Sequence, residues 1–135
     1  MANALYDKGR EKFLTGAISW TGDNIKAVIV DLADYTVNLA THEFLSDVPS
    51  GGRVATSPNL GGKTATNGVA DATDAVFTAV TGDQAEAVII YKDTGTAATS
   101  PLIAYIDSAT GLPVTPNGGD ITVTWDNGTN KIFKL

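Results

Sequence analysis

Two segments of this chain are apolar on both sides, and this feature restricts its possible folds more than any other. They are "EAVIIYKD" (86–93) and "PLIAYID" (101–107). An antiparallel strand with one solvent-exposed face alternates apolar and polar residues, so these two strands need cover on both faces. That cover comes from the N-terminal segment, from the long 50–68 connection, or from a neighbouring subunit. The predicted facing sets are Ala87, Ile89 and Tyr91 against Val88 and Ile90, and Leu102, Ala104 and Ile106 against Ile103 and Tyr105.

The remaining chain consists mostly of short β-rich runs with turn signals between them. The runs "AISW", "IKAVIVD", "AVFTAV" and "DITVTWD" are typical of strands. Asn-Gly pairs at 67–68, 117–118 and 127–128 favour tight turns, because both residue types tolerate positive φ. The last pair predicts a hairpin between "DITVTWD" and the final residues. The inward-facing positions of its first strand are Ile121, Val123 and Trp125. The whole pattern predicts a mainly β fold, a single antiparallel β-sandwich or a barrel.

The N-terminal segment is the best candidate for a helix. Residues 3–15 place apolar side chains at helical spacing, Asn3 is a possible N-cap, and Gly16 stands where a C′ glycine belongs. A glycine inside a helix costs roughly 1 kcal/mol relative to alanine, and Gly9 lies in the middle of this one. A short amphipathic arm is therefore the alternative to a core helix.

A chain of 135 residues suits one domain and is long enough to bury a core. We divide it into an N-terminal helix or arm (1–16) and a β-sandwich domain (17–135), in which the glycine-rich 50–68 connection carries short edge strands. No run approaches the roughly 18 apolar residues of a membrane span, and we expect no secretion signal. The chain has no cysteine, which excludes disulfides and thiolate zinc sites and fits synthesis in the cytoplasm.

The net charge of −6 is unevenly distributed along the chain. Residues 64–130 hold eight acidic residues and one basic residue, Lys92, whereas the last five residues add Lys131 and Lys134. An acidic body argues against nucleic acid as a direct ligand, because such binding draws on clustered lysine and arginine. The charge suits a solvated acidic surface or, alternatively, the outward face of a larger assembly whose mixed-charge N-terminal end docks inward.

No constellation typical of catalysis is visible in the sequence. The single histidine, His42, has neither a cysteine nor a G-x-S-x-G serine to activate, and we interpret it as a local capping or packing residue. Asp71, Asp74 and Asp126 lie in short turn-forming clusters that do not match the calcium-binding loop. We therefore expect no catalytic residue, no cofactor and no metal site.

Three long stretches cover most of the chain between Ala4 and Leu135: "ALYDKGREKFLTGAISW", "IKAVIVDLADYTVNLATHEFLSDVPSGGRV" and "SPLIAYIDSATGLPVTPNGGDITVTWDNGTNKIFKL". Their most distinctive pieces are "THEFLSDVP", "GLPVTPNGGDI" and the closing "WDNGTNKIF". Together they resemble a family of small virion structural proteins of tailed bacteriophages. Within that family the chain is most similar to capsid decoration, or cement, proteins.

This resemblance implies a β-rich, often jelly-roll-like fold that binds the major capsid protein and docks as a dimer or trimer on the outer shell. It implies stabilisation of the shell by non-covalent contacts, no enzymatic activity, and a place on the virion after synthesis in the bacterial host cytoplasm. Removal of residues 1–14 is expected to leave a folded protein that no longer binds shells. The candidate interface residues are Leu5, Tyr6, Arg10, Phe13, Leu14, Arg53 and Tyr105.

Two other functions remain open at this point. A tail or fibre module could bind host surface glycan, because exposed aromatic side chains stack on sugar rings. The candidates for such stacking are Trp20, Tyr35, Tyr91 and Tyr105, although tryptophans at strand positions such as Trp20 and Trp125 are more often core residues. A tail or connector subunit, in contrast, would assemble into rings.

Overall fold

The computed structural model describes residues 4–129 and 131–135, and these residues form a mainly β fold. Their strands and helix are, in order, β1 (Ala4–Leu5), α1 (Asp7–Leu14), β2 (Ile25–Val30), β3 (Arg53–Thr56), β4 (Val69–Ala70), β5 (Ala75–Phe77), β6 (Ala87–Lys92), β7 (Leu102–Ile106), β8 (Ile121–Val123) and β9 (Phe133–Lys134). Single turns of 3₁₀ helix lie in the connections, at Leu45–Asp47, Ser50–Gly52, Thr66–Gly68 and Ala97–Thr99.

A five-stranded antiparallel sheet in the order β1-β7-β6-β2-β3 is the centre of the molecule. The two doubly apolar segments form β6 and β7, as predicted. β2 pairs with β6 along its whole length, from Ile25 opposite Lys92 to Val30 opposite Ala87. Two smaller sheets, β4-β9 and β5-β8, complete the strands. The prediction of an edge strand within residues 50–68 is confirmed by β3.

One face of the large sheet carries a first core. Here side chains of β2, β6 and β7 pack with those of β4, β5 and β8, and with Trp20, Leu60 and Ile132. The 50–68 connection therefore contributes to this core through Leu60, and helix α1 contributes through the half-buried Phe13.

The opposite face carries a second core that the chain also covers by itself. The cover comes mainly from residues 31–48, through Tyr35, Leu45 and Val48, with Tyr6 beside them. No side chain of the paired residues 87–91 or 102–106 is more than 4% exposed. The doubly apolar strands thus need no neighbouring subunit to bury them, and their main cover on this face was not among the expected sources.

The facing sets predicted for β6 are confirmed, but those for β7 are wrong at two residues, Leu102 and Ile103. Leu102 faces the second core with Tyr105, whereas Ile103 joins Ala104 and Ile106 in the first core. The cause is a shift of register beside Tyr91, which leaves one extra residue in β7. Such a bulge interrupts the strict alternation of side chains, so residues on its two sides change face.

Helix α1 begins later than predicted. It runs from Asp7 to Leu14 with Tyr6 at the N-cap, while the predicted cap Asn3 lies outside the described residues. Gly9 is buried against β7, where a Cβ atom would lie only 2.5 Å from the backbone oxygen of Leu102. The glycine that counted against a helix is therefore the residue that allows the helix to approach the sheet.

The end of α1 agrees with the prediction. Gly16 has a φ of +80°. The Gly16 N–H donates to the Phe13 carbonyl at 3.3 Å, and the Ala17 N–H donates to the Lys12 carbonyl at 2.8 Å. This pair of hydrogen bonds is a Schellman motif, which satisfies carbonyls at the end of the helix.

The residues before and within α1 are part of the folded body rather than a free arm. β1 pairs with β7, with Ala4 opposite Tyr105, and Tyr6 is fully buried in the second core. Deletion of residues 1–14 would remove an edge strand and a core tyrosine. Loss of shell binding after this deletion would therefore not identify α1 as a docking element, since it would follow from loss of the fold.

Two strand predictions are wrong. The segment "AISW" forms no strand, because Asp23 Oδ2 accepts the Ser19 N–H at 2.7 Å and holds a turn there. The closing hairpin is also absent among the described residues, since β8 pairs with β5 and β9 pairs with β4. The predicted inward positions are nevertheless all buried: Ile121, Val123 and Trp125.

Across residues 4–129 and 131–135, no helix has both the length and the apolar character needed to cross a membrane.

Candidate docking surface

Helix α1 lies beside the last strand of the chain, and aromatic rings join them. The ring centroids of Phe13 and Phe133 are 6.1 Å apart. Trp20 meets the same Phe133 ring edge-on at 5.3 Å, a favourable geometry for aromatic pairs. We call the surface formed by α1 and residues 131–135 the α1–β9 surface.

The α1–β9 surface has an apolar part. A cavity of about 290 Å³ is lined by Phe13, Trp20, Phe133 and Leu135, among others. Leu135 is 56% exposed, and Leu14, which follows Phe13, is 85% exposed. Large apolar side chains left in solvent beside an apolar cavity are typical of a contact surface.

The α1–β9 surface also has a basic part, which we call the basic groove. It is a second cavity of about 290 Å³ between the β1–β7 edge of the large sheet and residues 131–134. The charged side chains of the described residues that line it are Arg10, Lys131, Lys134 and Asp126. Arg10 and Phe13 stand three residues apart on α1 and so lie on the same side of the helix, which brings the two parts together.

The structure places the predicted interface residues in three different environments. Arg10, Phe13 and Leu14 belong to the α1–β9 surface. Leu5 lines the basic groove but is only 6% exposed. These four come from the N-terminal segment, one of the two docking elements predicted from the sequence; the other is the glycine-rich loop around Arg53.

The other three predicted interface residues lie elsewhere. Tyr6 and Tyr105 are buried in the second core and offer no surface to a partner in this fold. Arg53 is on β3, at the opposite edge of the large sheet from β1, and its Nε donates to the Val48 carbonyl at 2.9 Å. Tyr105 lies on one of the strands that are apolar on both sides, and the chain itself supplies the cover for that strand.

Sequence reasoning missed the contribution of the last five residues to this surface. Lys131, Phe133, Lys134 and Leu135 all line its cavities. The available signal was the return of two lysines after a long acidic stretch. It was overlooked because the predicted hairpin placed these residues in an ordinary closing strand.

His42 is the half-buried end of a chain of polar groups that reaches into the second core. The Tyr6 and Tyr35 hydroxyls are 2.8 Å apart, and the Tyr35 hydroxyl lies 2.8 Å from His42 Nδ1. Burial raises the pKa of Tyr6 and also that of Tyr35. Burial, with the nearby charge of Asp107, raises the pKa of Tyr105 to about 12. These contacts agree with a packing role for His42.

The carboxylates considered for calcium binding stabilise turns and strand ends. Asp74 Oδ1 accepts the Trp125 N–H at 3.1 Å. Asp126 Oδ1 accepts the Gly128 N–H at 3.0 Å, and Asp71 Oδ1 accepts the N–H of the next residue at 2.9 Å. Hydrogen bonds of this kind explain why aspartate is common in turns.

A separate group of carboxylates was not predicted. Asp31, Asp34 and Asp83 have carboxylate oxygens within 4.8 Å of one another. Asp31 Oδ1 accepts the Ala33 N–H at 2.8 Å, so the buried member of the group closes its own turn. The group joins two distant turns, which the spacing of residues along the chain does not reveal.

The aromatic residues considered for glycan stacking are all buried. Trp20 is 6% exposed, and Tyr35, Tyr91 and Tyr105 are 3% exposed or less. The Trp125 Nε1–H donates to the Thr73 carbonyl at 2.9 Å. A ring must present a face to solvent in order to stack on a sugar, so these residues form no such platform.

A scan of protein-family models finds no match to this chain, and a search of curated proteins finds none either. The resemblance to phage virion proteins therefore remains a prediction from the sequence. The function has to be argued from the α1–β9 surface.

Proposed function

We propose that this chain is a bacteriophage capsid decoration protein that binds the outer shell through its α1–β9 surface. The proposal rests on one observation, the position of several binding features on the same surface. Exposed Leu14 and Leu135, an aromatic-lined cavity and the basic groove all lie on one surface of a molecule whose net charge is −6. The resemblance of the sequence to phage virion proteins supplies the kind of partner, which is the major capsid protein.

In this proposal the fold is a β-sandwich of the jelly-roll type. The five-stranded sheet is one layer, and β4-β9 and β5-β8 together form the second layer across the first core. Support comes from that core, which joins residues of both small sheets, such as Ala70 and Phe77, to the large sheet.

Decoration requires binding energy and no chemistry, and the α1–β9 surface offers the necessary groups. A specific interface typically buries about 1,200–2,000 Å² in total. Full burial of a leucine side chain contributes about 1.5–3 kcal/mol, so Leu14 alone is a substantial part of a weak contact. Repeated over many copies, such contacts hold neighbouring shell subunits together. The proposal involves no catalytic residue and no cofactor, and it places the protein on the virion after synthesis in the host cytoplasm.

Self-association as a dimer or trimer loses its main argument from the sequence. That argument rested on the doubly apolar strands, and residues 31–48 cover them instead. We therefore propose that the shell, rather than a second copy, is the principal partner of the exposed apolar side chains.

The proposal is tested by co-sedimentation of the purified chain with capsids that lack it. We expect wild-type protein to sediment with the shells and Leu14→Glu to bind at least tenfold more weakly, because a charge replaces an apolar contact of about 1.5–3 kcal/mol. Val76→Glu is the matched control, since Val76 is also exposed (42%) but lies on β5, outside the α1–β9 surface. Both variants should unfold at the same denaturant concentration as the wild type.

The same preparation gives a second readout. A decoration protein is present in hundreds of copies per particle, and quantitative mass spectrometry of purified virions counts them. Wild-type protein that fails to bind shells, or a copy number of a handful, would refute the proposal and indicate a tail component.

A further inference from the structure

We propose that the basic groove binds carboxylate side chains of an extended acidic segment of a partner protein. This inference rests on the proposed function, in which that partner is the shell protein. Its ligand chemistry, however, is read from the groove itself.

The basic side chains divide into those with a partner among the described residues and those without one. The chain has nine lysines and arginines, and all nine lie among the described residues. Four lysines form ion pairs, while Arg53 and Lys63 donate to backbone carbonyls. The three that engage no carboxylate or carbonyl of the described residues all line the basic groove: Arg10, Lys131 and Lys134. Although the net charge of the chain is −6, these three cations without a partner among the described residues lie close together.

The described residues that line the groove carry a net positive charge. Among the described residues of its lining, Asp126 is the one carboxylate, and that group already accepts the Gly128 N–H. Lys131 and Lys134 also line a neighbouring cavity that contains Asp71. Three cations beside two carboxylates still leave a local positive charge, which an incoming anion can neutralise. Arg10 adds a planar guanidinium, whose paired N–H groups match the two oxygens of a carboxylate.

The site is longer than a single cavity. The basic groove adjoins another cavity of about 290 Å³, and the two share Ile106, Asp126, Lys131 and Ile132 in their linings. Two adjoining cavities suit an extended segment better than a single small ion. The groove also runs along β1, the outermost strand of the large sheet, and a sheet edge is a common docking place for extended chains.

A carboxylate is favoured over the phosphates of a nucleic acid because of the rest of the molecule. The net charge is −6, and residues 64–130 carry eight acidic residues against one basic residue. A polyanion that extends beyond the groove meets this acidic body and is repelled. A short segment with a few glutamates or aspartates ends before it does.

The test is an NMR titration of the ¹⁵N-labelled full chain with a hexaglutamate peptide. Hexaglutamine of the same length and a six-nucleotide oligothymidine are the comparison ligands. We expect hexaglutamate to shift the amide signals of Arg10 and Lys131–Lys134 in a salt-dependent manner, and hexaglutamine to leave them unchanged. Arg10→Glu and Lys134→Glu should each weaken binding by roughly threefold to tenfold, as expected for reversal of an exposed charge pair.

Lys8→Glu is the matched control, because Lys8 lies on the same helix but pairs with Glu11 outside the groove. Its affinity for hexaglutamate should change less than twofold. Three results overturn the inference: groove amides that do not respond, equal binding of hexaglutamine, or tighter binding of oligothymidine, which would assign the groove to phosphate.

The two proposals fail in different ways. Hexaglutamate bound in the groove of a protein that does not sediment with shells refutes the decoration function and leaves the carboxylate site standing. Shells that bind the wild type and Arg10→Glu equally, together with groove amides that do not respond to the peptide, refute the carboxylate site and leave the decoration function standing.

Discussion

At the scale of single residues, Gly9 shows how packing can outweigh helix propensity. It lies within α1, where alanine is intrinsically better by about 1 kcal/mol. Gly9 lies so close to β7 that an added Cβ atom would be 2.5 Å from the Leu102 oxygen and 3.1 Å from the Ile103 Cα. Both are backbone atoms, which cannot rotate away. A side chain at this position would therefore force α1 to move away from the sheet.

Gly9→Ala is therefore expected to destabilise the protein by about 1–3 kcal/mol, as overpacking in a core typically does. The free energy of unfolding from urea titration measures the effect. Gly51→Ala is the control, because no atom lies within 4 Å of the corresponding Cβ position and Gly51 has no positive φ. A Gly9→Ala protein as stable as the wild type would mean that α1 does not sit this close to β7.

At the scale of elements, a hydrogen bond between tyrosine hydroxyls in the second core connects the N-terminal segment to residues 31–48, which cover that core. Tyr6 and Tyr35 are joined by their hydroxyls in a place where both are nearly inaccessible to solvent. Burial raises the pKa of Tyr6, because the deprotonated form is the charged one. A raised pKa in the folded state stabilises the fold below the unfolded value of about 10, and this contribution is lost as the pH rises from there towards the folded value.

We therefore expect the free energy of unfolding to fall steeply above about pH 10. Tyr6→Phe should make this fall shallower by up to about 1.4 kcal/mol per pH unit, since one proton fewer is linked to unfolding. At pH 7 the same variant should be only mildly destabilised, because Tyr35 keeps its contact with His42. Urea titrations between pH 7 and 11.5 measure both effects, and parallel curves for the two proteins would contradict the account.

The elements also show what the sequence can predict. The alternation in β6 was predictable because this strand has no extra residue and pairs with β2 in unbroken register. The end of α1 was predictable because Gly16 carries local turn chemistry. Leu102 was misplaced because a bulge depends on the partner strand. The cover by residues 31–48 was missed because these residues have no regular strand or helical period. The basic groove was missed because Arg10 and Lys134 meet only after the sheet has formed.

At the scale of the whole molecule, the two cores and the acidic surface determine whether copies of the chain associate. Both faces of the large sheet are closed by the chain itself. The large apolar side chains left exposed among the described residues are Leu14, Val76 and Leu135. Leu14 and Leu135 lie on the α1–β9 surface, which the proposed function assigns to the shell. Val76 is then left for contacts between copies, and one side chain is far less than the roughly 800 Å² that a specific interface usually buries on each partner. A net charge of −6 adds repulsion between copies.

The free protein is therefore expected to be a monomer of 14.0 kDa at micromolar concentration and physiological salt, and to gather in many copies only where a shell presents binding sites. Sedimentation velocity measures this directly. High salt screens the repulsion between copies and should leave the mass unchanged, because the missing element is buried apolar area rather than charge balance. A dimer or trimer that dissociates on Leu14→Glu would contradict this expectation, because it would show that a second copy, and not the shell alone, occupies the α1–β9 surface.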